Sequence, residues 1–139
     1  MNIDCFQIHP VGYINKHDND KSVSIEILEK YKPGLLGLNT FSHIVVCYWF
    51  HKNDIPEQRN ILQVYPRKNK SNPLSGVFAT HSNVRPNLTA ISICKLHSIN
   101  DNIMYIDKID AFDKTPVIDI KPYIPGAKKI SDLKLPEWV

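Results

Sequence analysis

The chain has 139 residues, of which 42% are hydrophobic and 22% charged, with 17 Lys and Arg against 14 Asp and Glu. That is enough apolar material for one core and one domain over 1–139, and the balance excludes a disordered, collagen-like or disulfide-built chain. A net charge of +3 is a mild excess that by itself barely favours a nucleic-acid partner.

Strand signals dominate. Residues 7–14 are short, apolar and β-branched, and a polar turn is predicted over 15–21. Residues 22–28 alternate polar and apolar, the period of a half-buried strand. Residues 29–34 break the pattern, and Leu35–Leu38 is a short apolar run that is ambiguous by period, one helical turn being one reading. Phe41 to His51, rich in β-branched and aromatic residues, is predicted as a central strand, apolar on both faces. Residues 52–75 form a long polar loop holding Pro56, Pro66 and Pro73. Its basic run Arg67, Lys68 and Lys70 reads as a solvated surface. Strands are predicted at Gly76–Thr80, Ala90–Leu96, Ile103–Ile109 and Val117–Ile120, with a turn at 100–102. In the third of these, Ile103, Tyr105, Asp107 and Ile109 face one way and Met104, Ile106 and Lys108 the other. The core spans about 6–125, and 126–139 is a C-terminal arm lying on the surface or on a partner. Six or seven short strands without a long amphipathic helix give a mainly β class, barrel or sandwich.

Cys5, Cys47 and Cys94 are odd in number and form no CxxC pair, which fits a reducing compartment. Cys47 and Cys94 lie in apolar runs and read as buried thiols. The opening residues Met1–Phe6 lack a basic region and a long apolar stretch, so no signal peptide is expected. The longest apolar run, Ile44 to Phe50, is too short to cross a bilayer. The expectation is a soluble, cytoplasmic protein with no membrane partner.

No dinucleotide-binding glycine fingerprint, phosphate loop or nucleophile elbow occurs. His43, Cys47 and His51 share one strand face, but they would span roughly 26 Å at about 3.3 Å per residue. No ion reaches all three, and no metal is expected. Ser42 and His43 are adjacent, so strand alternation would turn them to opposite faces and deny them a nucleophile–base couple. Two clusters remain. Gly76–Asn87 places His81, Arg85 and Asn87 after a strand, and Arg85 offers a planar fork for phosphate or carboxylate. Asp113–Tyr123 places Asp113, Asp119, Lys121 and Tyr123 around a short strand. As chemistry alone, each cluster is as readily a hydrogen-bonded turn as a site.

Taken together, Pro10–Ile14, Phe41–Ile44 with Tyr48–His51, Gly76–Thr80, Arg85–Asn87, and Asp113 with Thr115–Tyr123 resemble the TsaA-like (TrmO) methyltransferases, in family order over residues 8–125. The resemblance implies a compact antiparallel β-barrel, a homodimer and S-adenosyl-L-methionine as methyl donor. It implies tRNA as partner, methylated on the exocyclic nitrogen of threonylcarbamoyladenosine beside the anticodon. It further implies cofactor contacts from His51, Lys52, His81, Ile91, Asp113, Thr115 and Pro116, with Arg85 and Asn87 shaping the site. Lys121 and Tyr123 would contact the acceptor, and the catalytic group is sought among Asp113, Asp119, Lys121 and Tyr123. Trp49, Phe50 and Val117 are assigned to packing, and Asp119 with Lys121 has an alternative as an ion pair. The chain departs from the family pattern at His81 (Arg in the family), at Leu88–Ala90 (Pro-Ile-Gly) and at Lys114 (Gly). These departures point to a different, small-molecule acceptor or to a non-catalytic binding protein as alternatives.

Overall fold

The computed structural model describes residues 4–17, 22–126 and 129–139. Its strands are β1 (Gly12–His17), β2 (Ser22–Ile27), β3 (His43–Trp49), β4 (Gln63–Val64), β5 (Ser75–Gly76), β6 (Thr89–Asn100), β7 (Ile103–Ile106) and β8 (Pro116–Pro122). Six of them close an antiparallel barrel in the order β1-β2-β7-β6-β3-β8, which decides between barrel and sandwich. The chain groups into two compact units, Met1–His51 with Thr89–Tyr123, and Lys52–Leu88 with Ile124–Val139.

Period-2 alternation builds the first unit. Val23, Ile25 and Ile27 of β2, Ile44, Val46 and Tyr48 of β3, Met104 and Ile106 of β7, and Val117 of β8 all turn inward around Ile14. Each wholly buried aliphatic side chain contributes about 1.5–3 kcal/mol over leaving it in water. Tyr48 also stacks edge-on against Phe50, with ring centroids 6.0 Å apart. At the start of β1, Gly12 lies opposite Ile27, so close that a Cβ would overlap the carbonyl oxygen of Glu26.

Several sequence expectations need correction. β1 starts at Gly12 and runs through His17, so residues 15–17 are strand; the rest of the expected turn, 18–21, lies outside the described residues. The breaker at 29–34 is a 3-10 helix, Glu29–Leu35, and a second follows at Leu38–Thr40 after Gly37 at φ 84°. The outward members of β3 are half-buried rather than core, so Cys47 is not a buried thiol. β6 runs to Asn100, with a register shift between Leu96 and Ser98; its polar outer residues hide it from a search for apolar runs. β7 stops at Ile106, which frees Ile109 from the alternation and lets it bury at 6% exposure.

In the second unit, the strand expected over Gly76–Thr80 is absent. Only Ser75–Gly76 pairs, with Gln63–Val64, and Val77–Ala79 forms a 3-10 turn. The expected long loop holds the short helix α1 (Pro56–Arg59), β4 and a 3-10 turn at Pro66–Lys68. Short apolar runs do not separate strand from helical turn by period. In 124–126 and 129–139 the described residues form neither helix nor strand. Among the described residues, no helix is long and apolar enough to cross a membrane.

Candidate functional site

Strand register places the candidate residues. β3 ends where β6 and β8 begin: Trp49 faces Thr89, Cys47 faces Ile91, and Tyr48 faces Val117. His51, two residues past β3, therefore shares one end of the barrel with Ile91, Pro116 and Thr115. These residues come from three separate stretches of sequence.

The segment before β8 continues along β1 at this end. Ile14 N donates to Thr115 O at 2.9 Å, and Lys114 N donates to Ile14 O at 2.7 Å. Lys16 N donates to Asp113 Oδ1 at 2.8 Å. That bond holds the Asp113 carboxyl below the usual range against the opposing effect of desolvation, with lesser help from Lys114 and from the charge of His17. Asp113 is thus an ionised acceptor fixed at the end of the barrel, while Thr115 beside it is 2% exposed. Lys114, at the position of the departure from glycine, has φ 65°, in the left-handed region that favours glycine. Its Nζ reaches Asn15 Oδ1 at 2.6 Å.

Of the other candidates of the last cluster, Asp119 faces Cys47 at the level of Ile91, while Lys121 and Tyr123 lie further from this end. Lys121 faces Val45 and is five residues from Pro116, roughly 17 Å at about 3.3 Å per residue. Asp119 and Lys121 form an ion pair at 3.1 Å with both side chains exposed, and this pairing raises the pKa of Lys121. An exposed pair of this kind, screened by water, contributes little to stability. Tyr123 lies past β8, its amide on His43 O at 3.0 Å and its ring 42% exposed. Asp119 and Ile91 flank Cys47 from either side on β8 and β6, and burial leads the rise in the thiol pKa there. Cys94 is buried as expected, and burial pushes its thiol up to about 11, which keeps it protonated and inert.

Ser42 Oγ and His43 Nδ1 lie 2.8 Å apart, contrary to the expectation that alternation separates them. Ser42 precedes β3, so strand alternation does not govern it. Phe50 packs on the core and Val117 is wholly buried, in line with their packing assignment; Trp49 is half-buried.

In the second unit, His81 and Lys52 are exposed or nearly so. Arg85 is half-buried and braces its own loop: Nη1 donates to Thr80 O at 3.1 Å and Ser82 O at 3.2 Å. One arm of its fork is therefore spent on the backbone. Arg59, which the sequence reading passed over, holds the next residues. Its Nε donates to Pro86 O at 2.9 Å, its Nη1 pairs with Asp54 at 3.1 Å, and its Nη2 reaches Asn87 Oδ1 at 3.5 Å. An Arg five residues after an Asp in a proline-bearing loop was the available signal.

A model of the tRNA-methyltransferase O N-terminal domain matches residues 14–129. A probable S-adenosyl-L-methionine-binding protein of Pyrococcus horikoshii is 50% identical over 121 residues, covering 87% of this chain and 85% of that one. A tRNA (adenine(37)-N6)-methyltransferase of Mus musculus is 40% identical over 98 residues, covering 70% of this chain and 22% of that one. The crystal structure of TrmO from Pseudomonas aeruginosa superimposes with a TM-score of 0.73 at 26% identity, over 99% of this chain. The chain spans 63% of the length of that solved structure. On these matches and on its closed barrel, the chain belongs to the tRNA-methyltransferase O family, within the part described as the N-terminal domain.

Proposed function

We propose that this chain binds S-adenosyl-L-methionine and transfers its methyl group to tRNA, on the exocyclic nitrogen of threonylcarbamoyladenosine beside the anticodon. The observation that carries this reading is the strand register, which sets His51, Ile91, Thr115 and Pro116 at one barrel end, with Asp113 tied to β1 beside them. Family membership and half-identity to a relative named for S-adenosyl-L-methionine binding support it. The donor chemistry fits the residues: an ionised carboxylate and strand-end carbonyls suit a sulfonium, an amine and ribose hydroxyls. The sulfonium supplies an already activated methyl group. The chain is left to orient donor and acceptor and to exclude water. Asp113 binds, and Thr115 and Pro116 fix the backbone that aims it.

This reading includes a homodimer. Ile91 and Ile93 support it, 71% and 58% exposed on the outer face of β6. Light scattering on the purified protein tests it, and a monomer at micromolar concentration rejects it.

A second reading has specific support. The 50% identical relative is named a binding protein, not an enzyme, and Lys114 stands where the resembling family has glycine. In that reading the methyl goes to a small-molecule acceptor, or binding is the whole function. Mass spectrometry of tRNA nucleosides after incubation with methyl-labelled donor decides. A labelled adenosine derivative supports tRNA methylation. Label in a metabolite extract but not in tRNA supports the small-molecule acceptor, and tight binding without turnover supports the binding protein.

A further inference from the structure

Residues 60–88 contain Arg67, Lys68, Lys70 and Arg85 and not one Asp or Glu. Of 17 basic and 14 acidic residues in the chain, this stretch takes four and none, so the remainder is slightly acidic. The positive excess of the chain is therefore local. Arg85 is committed to the carbonyls of Thr80 and Ser82. The other three cations stand exposed in the loop between β4 and β5.

That loop is built, not slack. Lys68 N donates to Tyr65 O at 3.0 Å and Asn69 N to Pro66 O at 3.1 Å. Asn72 Nδ2 donates to the same Pro66 carbonyl at 2.9 Å, and Ser71 N to Asn69 Oδ1 at 2.9 Å. Pro66 is buried beneath the turn. Its base is closed by Gln63 opposite Gly76 and by Val77 N on Leu62 O at 2.9 Å. Arg67 and Lys68 sit at φ 56° and 55°. Long side chains rarely take the left-handed region, and two in succession do so only where the surroundings impose it. Among the described residues, no carboxylate pairs with Arg67, Lys68 or Lys70 within ion-pair distance. Tyr65, at the start of the loop, is 41% exposed.

We propose that the loop Tyr65–Asn72 is a preset grip on the phosphate backbone of RNA. Arg67, Lys68 and Lys70 contact successive phosphates, and Tyr65 offers a ring face to an unpaired base. The choice of RNA as the polyanion rests on the tRNA reading above. Fixed cations on a carboxylate-free surface release counterions from a polyanion, and phosphate contacts set its position without reading sequence. An exposed tyrosine beside them suits single-stranded bases.

Fluorescence anisotropy tests this with two probes, an unmodified tRNA transcript and a short single-stranded oligoribonucleotide, from about 50 to about 200 mM salt. The loop variant Arg67→Gln/Lys68→Gln/Lys70→Gln is compared with a control of equal charge loss, Lys30→Gln/Lys108→Gln/Lys134→Gln. The loop variant is expected to lose roughly 10- to 100-fold in RNA affinity, with the slope of log K against log salt falling by about 2–3. The control is expected to lose only a few-fold, and binding of S-adenosyl-L-methionine by calorimetry stays unchanged in both. Equal losses in the two variants, or none, overturn the grip, as does a wild type that binds neither probe. Methylation of tRNA by the loop variant at an unchanged KM overturns the grip and leaves the acceptor reading standing. Loop-dependent RNA binding without methylation keeps the grip and removes the acceptor reading.

Discussion

The amide of Lys16 on β1 and the carboxylate of Asp113 before β8 are joined by a 2.8 Å hydrogen bond across 97 positions of sequence. The bond ties the first barrel strand to the segment that carries the proposed donor contact. Asp113→Asn should lower affinity for S-adenosyl-L-methionine by on the order of 10-fold or more, since a charged acceptor becomes neutral. Calorimetry reads this directly, and an unchanged Kd removes Asp113 from the binding site.

The depressed pKa of Asp113 gives stability a definite pH dependence. The folded state prefers the ionised form, so the contribution is fully present above the unfolded value of about 3.9. It is lost as pH falls through the lower folded value. Thermal unfolding of wild type and Asp113→Asn should therefore differ least at the acid end, and a difference that grows towards low pH contradicts the assignment.

At Lys114 the backbone and the side chain make opposite demands. A φ of 65° favours glycine, while Nζ on Asn15 favours lysine. Lys114→Ala loses the hydrogen bond and keeps the strain, whereas Lys114→Gly relieves the strain. The glycine variant should exceed the alanine variant in stability by about 1 kcal/mol, read by urea unfolding. Equal stability would show that the left-handed turn is not imposed.

Gly12→Ala should destabilise the barrel by about 1–3 kcal/mol, because the new methyl overlaps the backbone carbonyl of Glu26 and no side chain can yield. An unchanged Tm would show that β1 and β2 separate there at little cost.

Arg59→Lys should behave like Arg59→Ala rather than rescue it. A single ammonium does not reproduce the planar fork that reaches Pro86 O, Asp54 and Asn87 together. Hydrogen exchange over 84–88 should quicken in both variants. Slow exchange in the lysine variant would reduce the role of Arg59 to its charge.

The barrel was legible where alternation was clean, at β2, at the inner face of β3 and at Met104 and Ile106 of β7. It was illegible where outer residues are polar or the apolar run is short. His97, Ser98 and Asn100 masked the second half of β6, and Val77–Ala79 carries strand composition in a 3-10 turn. For the candidate site, the residues placed at one barrel end were legible only through the resemblance of their sequence blocks to a family, and register explains why separate stretches lie there. The spacing of Asp54 and Arg59 was a signal for their pairing, but the hold of Arg59 on Pro86 O and the left-handed Arg67–Lys68 pair were beyond reach, because carbonyl partners and φ angles are set by tertiary closure, not by residue type.

The barrel closes through a narrow seam. β1 pairs with β2 over six positions but with β8 over only two, Gly12 with Val117 and Tyr13 with Pro116. The amide bonds from Ile14 and Lys114 extend this join towards Asp113. The least cross-braced joint of the cylinder is therefore also the one that carries the proposed donor contact. A molecule gripping Asp113 would work as a zip on the staves, so that filling the site and locking the cylinder become one event.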